Sequence, residues 1–133
     1  LFENKKQKIE VVCKIASLRA NRIMLNQVLS NLLENAAKYA DDNALVKVSW
    51  ESQGEFNTLT VSDSGPGISE EHLSRVFERF YRVQNGKVKS GVLGTGLGLS
   101  IVRNCMLRHR GRVEVDSLPG RGTVFTCYFP KNV

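Results

Sequence analysis

Hydrophobic spacing changes period several times along the chain, and each change marks an element. Leu1 to Lys8 is polar and basic without periodicity and reads as the end of a linker or of a preceding helix, leaving 9–133 as the folded domain. Ile9 to Ile15 reads as a strand. From Asn21 the spacing turns helical: Ile23, Leu25, Val28, Leu29, Leu32, Leu33, Ala36 and Ala37 make a broad apolar face. Asn21 is the expected cap, and Asp41-Asp42-Asn43 breaks the helix after about Ala40. Alternation then returns in Val46-Val48-Trp50 and Leu59-Val61, joined across Gln53-Gly54-Glu55, which predicts a hairpin ending at Asp63.

Ser69-Glu70-Glu71 has the acid-rich first turn of a short helix that leads to the aromatic cluster Phe77 to Tyr81. Gln84 to Gly94 is polar, basic and glycine-containing, and reads as a mobile loop. A second long helix is expected from near Gly96 to about His109. Val113-Val115 and Phe125-Cys127-Phe129 alternate as two final strands, with Gly120 and Gly122 turning the chain between them. Long helices interspersed with strands predict a two-layer α/β (α+β) sandwich with one core.

Composition narrows the field. A chain of 133 residues with 41% hydrophobic and 24% charged residues suits a single globular domain. No apolar run reaches the roughly 20 residues of a membrane helix. The absence of an initiator methionine suggests a fragment of a longer protein. Cys13, Cys105 and Cys127 stand far apart in apolar stretches, without the pairing of a zinc site or disulfide framework, and read as buried, reduced, cytosolic thiols. The formal charge of +6 is scattered rather than gathered into a dense run, which argues against a nucleic-acid groove. It fits a solvated surface that partly serves a phosphate-bearing ligand.

Four segments carry candidate chemistry. Asn31, Asn35 and Lys38 share one helix face, and asparagine is a poor helix former unless its amide is used. The Asn35 side-chain oxygen suits Mg²⁺, and Lys38 suits phosphates; a plain solvent-facing stripe fits this helix equally well. Asp63-Ser64-Gly65-Pro66-Gly67-Ile68 joins a strand end to a glycine-proline turn, where a carboxylate can accept from an amino group and glycines let a flat ring approach. Alone, it is also an ordinary tight turn. Gly94-Thr95-Gly96-Leu97-Gly98-Leu99 precedes a helix, so open backbone N–H groups can meet a polyphosphate. Its alternate glycines and the absent preceding strand fail the dinucleotide fingerprint, and it lacks the lysine-serine pair of a P-loop. Phe77 to Arg82 is aromatic and leads into the basic loop, where Arg82, Lys87 and Lys89 could reach a terminal phosphate.

Taken in order, these segments resemble the ATP-binding domain of sensor histidine kinases, within the superfamily of gyrase, Hsp90, MutL and these kinases. Gln27 to Tyr39 looks like the family's asparagine box, Asp63 to Ile68 its first glycine box, Phe77 to Arg82 its aromatic box, and Gly94 to Leu99 its second glycine box. Gly120-Arg121-Gly122-Thr123 matches the small turn before the last strand. The resemblance implies a Bergerat-type fold, a mixed sheet on about three helices, with nucleotide between helices and a lid. It implies Asn35 on Mg²⁺, with Asn31, Lys38 and Tyr39 around the phosphates. Asp63 would accept the adenine amino proton, Gly65 and Gly67 would make room for the base, and Thr123 would lie beside Asp63. Gly94, Gly96 and Gly98 would frame lid and phosphates, with Leu97 as a backbone contact. Ile68, Phe80, Thr95 and Leu99 complete the nucleotide-binding set, and Arg82 would stabilise charge on the γ-phosphate, acting catalytically with Asn31 and Lys38.

Asn31 also separates branches of the superfamily, because hydrolysing relatives place a water-activating glutamate four residues before the Mg²⁺ asparagine. An amide is no general base at neutral pH, so transfer to a protein nucleophile is favoured over hydrolysis. Asn21 and Met24 stand where the family commonly has aspartate and arginine, and Leu93 where glycine or proline is common. These departures bear on the lid and docking rather than on the nucleotide ligands. His72 and His109 do not match the acceptor position, so the phosphoacceptor and dimerisation hairpin is expected elsewhere in the protein, with a response regulator downstream. The resemblance places the domain in the cytoplasm, within a larger bacterial sensor, with no nucleic-acid partner and no membrane contact of its own. Two other readings stay open, an anti-sigma-factor-like serine kinase and a non-catalytic nucleotide-gated binding module.

Overall fold

Within the computed structural model, residues 7–39, 43–79, 81, 98–118 and 120–132 are described here. In chain order they form β1 (Lys8–Cys13), α1 (Arg22–Tyr39), β2 (Leu45–Gln53), β3 (Phe56–Asp63), α2 (Glu70–Leu73), α3 (Gly98–Arg108), β4 (Arg112–Leu118) and β5 (Gly122–Pro130). The strands make one mixed sheet in the order β1-β2-β3-β5-β4. β1 runs parallel to β2, and every other pair is antiparallel.

Alternation in the strands produces one buried face. Val46 and Val48 of β2, Leu59 and Val61 of β3, and Phe125, Cys127 and Phe129 of β5 point into a core completed by Val28, Leu32 and Ala36 of α1 and Val102, Cys105 and Met106 of α3. Trp50 and Phe77 pack on its margins against Phe129 and Phe125, with ring centroids 5.8 and 6.1 Å apart. Burial of such side chains is the main driving force for the fold, at about 1.5–3 kcal/mol each.

α1 begins where its sequence says it should. The Asn21 side-chain oxygen accepts from the Met24 amide at 3.0 Å, as an N-cap does. His109, at the far end of α3, secures the same point: its Nε2 accepts from the Asn21 amide at 2.9 Å, and its Nδ1–H donates to the Cys105 carbonyl at 2.7 Å. The imidazole therefore serves a structural joint between the two long helices, edge-on to Phe129. α3 ends in a left-handed turn at Arg110, φ 58°, with the Gly111 amide donating back to the Met106 carbonyl.

Three expectations need correction. Ile23 is 71% exposed, because it lies outside the arc formed by Met24, Leu25, Val28 and Leu32 around the helix. Cys13 is exposed rather than buried, since it ends the edge strand β1; Cys105 and Cys127 are buried free thiols. The helix after Ser69 is four residues long and gives way to turns before Phe77 is reached. The segment 84–94, read as a loop, lies outside the described residues. Among the described residues no helix is long and apolar enough to cross a membrane.

Candidate functional site

The apolar rows of the central strands end in polar residues. On β3 the row Leu59, Val61 continues to Asp63, and on β5 the row Phe129, Cys127, Phe125 continues to Thr123. Asp63 pairs with Thr123 across the two strands, Val46 flanks Asp63 on β2, and Ser117 flanks Thr123 on β4. Paired residues project to the same face, so Asp63, Thr123 and Ser117 form one polar row on the helix side where the core stops.

The turn after β3 is tied to this row. The Gly65 amide donates to Asp63 Oδ1 at 3.0 Å, closing an Asx turn, and Gly65 is buried. Ser64 Oγ accepts from the Leu45 amide at 3.0 Å, anchoring the turn to the start of β2. On the other side the Gly120 amide donates to the Pro66 carbonyl at 2.7 Å. The Ile68 amide donates to Ser117 Oγ at 2.6 Å. Gly67 adopts φ 79°, which glycine reaches without penalty. The backbone around Asp63 is thus tied to β2, to β4 and to the turn between β4 and β5, leaving a small ledge of carboxylate, glycines and Ile68.

Gly122 explains how close that clamp is. A Cβ there would lie 1.9 Å from the Asp63 carbonyl oxygen, and its φ of 105° disfavours any side chain. The glycine that sequence reasoning read only as a turn former is a contact residue for the strand end bearing Asp63.

A second cluster lies where α1 meets the start of α3. Asn31 is partly buried and its Nδ2 donates to the Gln27 carbonyl at 2.8 Å, which orients the amide. Its Oδ1 faces Gly98, where an added Cβ would stand only 3.0 Å away. Asn35 and Lys38 are partly buried further along α1, and Leu99 is partly buried at the head of α3. Asn31 and Gly98 are therefore brought together, as are Asp63 and Thr123 with Gly65, Gly67 and Ile68. Phe80, Arg82, Gly94, Thr95, Gly96 and Leu97 lie outside the described residues, as do Leu93 and the side chain of Tyr39.

Ser117 is a buried neighbour of this row that the motif reading did not name. It is 8% exposed and contacts the Ile68 amide, the Gly122 carbonyl at 3.0 Å and Thr123 Oγ1 at 3.2 Å. The signal available in sequence was weak: a serine at a position where the alternation Val113, Val115 calls for another apolar residue.

Comparison with known proteins gives this geometry a family. Residues 20–133 match the model for the histidine kinase-, DNA gyrase B- and HSP90-like ATPases. The chain is 42% identical over 112 residues to the phosphate regulon sensor protein PhoR of Pseudomonas aeruginosa, an alignment covering 84% of this chain and 25% of that protein. Among solved structures, the catalytic domain of histidine kinase ThkA superposes with a TM-score of 0.81 at 29% identity, covering 98% of this chain and 84% of that one. Full-length ShkA in complex with AMPPNP superposes with a TM-score of 0.83 at 27% identity, covering 96% of this chain and 26% of that one. The five-stranded mixed sheet under its helices is accordingly the Bergerat fold. The chain belongs to the histidine kinase-, DNA gyrase B- and HSP90-like ATPase family, as an ATP-binding catalytic domain of the sensor histidine kinase kind.

Proposed function

We propose that this chain holds Mg²⁺-ATP between α1, the head of α3 and the Asp63–Ile68 ledge. In the whole protein the γ-phosphate would pass to a histidine on a separate dimerisation hairpin, and then to a response regulator. The observation that carries the phosphotransfer reading is Asn31. It is an amide, it cannot take a proton from water at neutral pH, and its Nδ2 is committed to the Gln27 carbonyl at 2.8 Å. A site without a base at that position positions a phosphate for attack by a nucleophile brought from elsewhere.

The remaining roles follow from chemistry. Asp63, held by its own turn, accepts the amino proton of adenine and disfavours a carbonyl there. Gly65, Gly67, Ile68 and Thr123 surround the base. Lys38 supplies positive charge to the phosphates, joined by Arg82, while Gly94 to Gly98 borders them. Asn35 presents a side-chain oxygen of the hard kind that Mg²⁺ accepts, and no group of three or more His, Cys, Asp or Glu able to hold a metal occurs among the described residues. That donor set suits an ion carried mainly by phosphates and water, which would neutralise phosphate charge when bound. The solved complex of ShkA with AMPPNP supports a triphosphate ligand for this fold. The chain spans 25% of the length of the PhoR relative, and the acceptor hairpin is read as part of the whole protein, with the response regulator as a separate partner. We take 9–133 as the catalytic unit, with Lys8 included in it as the first residue of β1.

The test supplies a phosphoacceptor hairpin from a related sensor, in trans, with γ-labelled ATP. Acid-labile, alkali-stable label on the hairpin is expected. Bound ATP with no labelled hairpin would instead favour a nucleotide-gated binding module, and acid-stable phosphoserine on a partner would favour a serine kinase.

A further inference from the structure

We infer that Ser117 is a positioning residue for base selection, fixing both the Ile68 backbone and the hydrogen-bond polarity of Thr123. The inference rests on the reading that the base lies against Asp63 and Thr123. Its physical content is a count of protons.

A serine hydroxyl has one proton and two lone pairs. Ser117 Oγ has three partners, and two of them have fixed roles. The Ile68 amide can only donate, at 2.6 Å, and occupies one lone pair. The Gly122 carbonyl can only accept, at 3.0 Å, and takes the single proton. What is left for Thr123 Oγ1, at 3.2 Å, is the second lone pair, so Thr123 must donate to Ser117. The threonine proton is thereby spent inward, and its oxygen presents lone pairs to the rest of its surroundings.

The row position gives that polarity its consequence. Ser117, Thr123 and Asp63 are consecutive cross-strand neighbours on one face. A carboxylate and a threonine oxygen that both act as acceptors suit a ligand edge, or a bridging water, that offers N–H or O–H groups. The exocyclic amino group of adenine meets that demand, and the carbonyl oxygen of guanine in the corresponding place does not. Ser117 reaches no ligand itself in this scheme: it is 8% exposed and acts through Thr123 and through Ile68, the last residue of the ledge.

The experiment compares Ser117→Ala, Ser117→Thr and Thr123→Val in this chain. ATP and GTP affinities are measured by calorimetry, the Ile68 amide proton by NMR, and folding by thermal melting. In Ser117→Ala the ATP-over-GTP preference should fall about three- to tenfold, the effect expected for one or two altered hydrogen bonds. The Ile68 amide should move upfield and exchange faster. Ser117→Thr, which keeps the hydroxyl, should restore both. Thr123→Val should lower the preference while leaving the Ile68 amide in place, and it tests the polarity independently if the alanine variant folds poorly. A Ser117→Ala protein with the wild-type preference and an unmoved Ile68 amide overturns the inference, whatever its melting temperature. If Asp63→Asn leaves the preference untouched, the base-site reading itself fails. An effect of Asp63→Asn beside silent Ser117→Ala and Thr123→Val overturns the Ser117 role alone.

Discussion

Replacing Gly122 by alanine separates a steric demand of the Asp63 ledge from the general cost of a side chain in a turn. At Gly122 the new Cβ would meet the Asp63 carbonyl oxygen at 1.9 Å and the Ser64 Cα at 3.2 Å, both backbone atoms, with φ at 105°. Ordinary contact with an oxygen needs roughly 3.2 Å, so the strand ends must part by about 1 Å or the turn must rebuild. Backbone strain at such a φ costs about 1–3 kcal/mol, and disturbed pairing at the end of β3 and β5 brings the expected loss to about 2–4 kcal/mol. Gly120 supplies the control two residues away. Its φ is also positive, at 82°, but no atom lies within 4 Å of the added Cβ. Gly120→Ala should therefore lose only about 1 kcal/mol. Urea denaturation of both variants reads the difference as a midpoint shift at unchanged slope. Calorimetry should show ATP affinity reduced about ten- to hundredfold in Gly122→Ala and nearly unchanged in Gly120→Ala, because only the first displaces Asp63. Equal stability and equal ATP affinity in the two variants would refute the reasoning.

Three further outcomes follow from the packing. His109→Ala removes the acceptor for the Asn21 amide and an aromatic contact with Phe129, and should lower stability by about 2–3 kcal/mol; a loss below 0.5 kcal/mol in urea would contradict its role as the α1–α3 joint. Arg110→Gly, at φ 58°, should raise stability by about 0.5–1 kcal/mol by relieving a left-handed arginine, and an unchanged urea midpoint would contradict this. Burial, aided by Cys105, pushes the Cys127 thiol up to about 12 from the usual 9.0. The unfolded chain thus ionises first as pH rises, so the stabilisation is complete below about pH 9 and is lost toward pH 12, by about 1.4 kcal/mol per pH unit. The alkaline decline should be shallower in Cys127→Ala, and identical slopes would count against it.

Much of the architecture could be read from periodicity because the strands alternate cleanly and α1 carries a continuous apolar arc. The boundaries at Asn21, at Asp63 and in the Gly54–Glu55 turn coincide with capping and turn chemistry, which act locally and so leave a local trace. Ile23 shows the limit of that reading: it fits a helical face loosely, and only the placement of α1 on the sheet decides which arc is covered. Cys13 looked buried by composition, yet an edge strand with one neighbour cannot cover it. At the candidate site, Asn31, Asp63 and the glycines stood out by their order along the chain, since each segment alone also fits a plain polar stripe or an ordinary turn. Ser117 did not, because its importance lies in three partners contributed by distant stretches of chain, a relation that register creates and spacing does not reveal. The approach of Gly122 to Asp63 is of the same kind.

The most direct measurement is a calorimetric titration of this chain with ATP and GTP, with and without Mg²⁺, repeated on Asp63→Asn and Asn35→Asp. The account predicts binding that prefers ATP, a preference erased by Asp63→Asn, and a Mg²⁺ dependence weakened by Asn35→Asp. ATP affinity and selectivity unchanged in both variants would contradict the placement of the nucleotide at the Asp63 ledge and along α1.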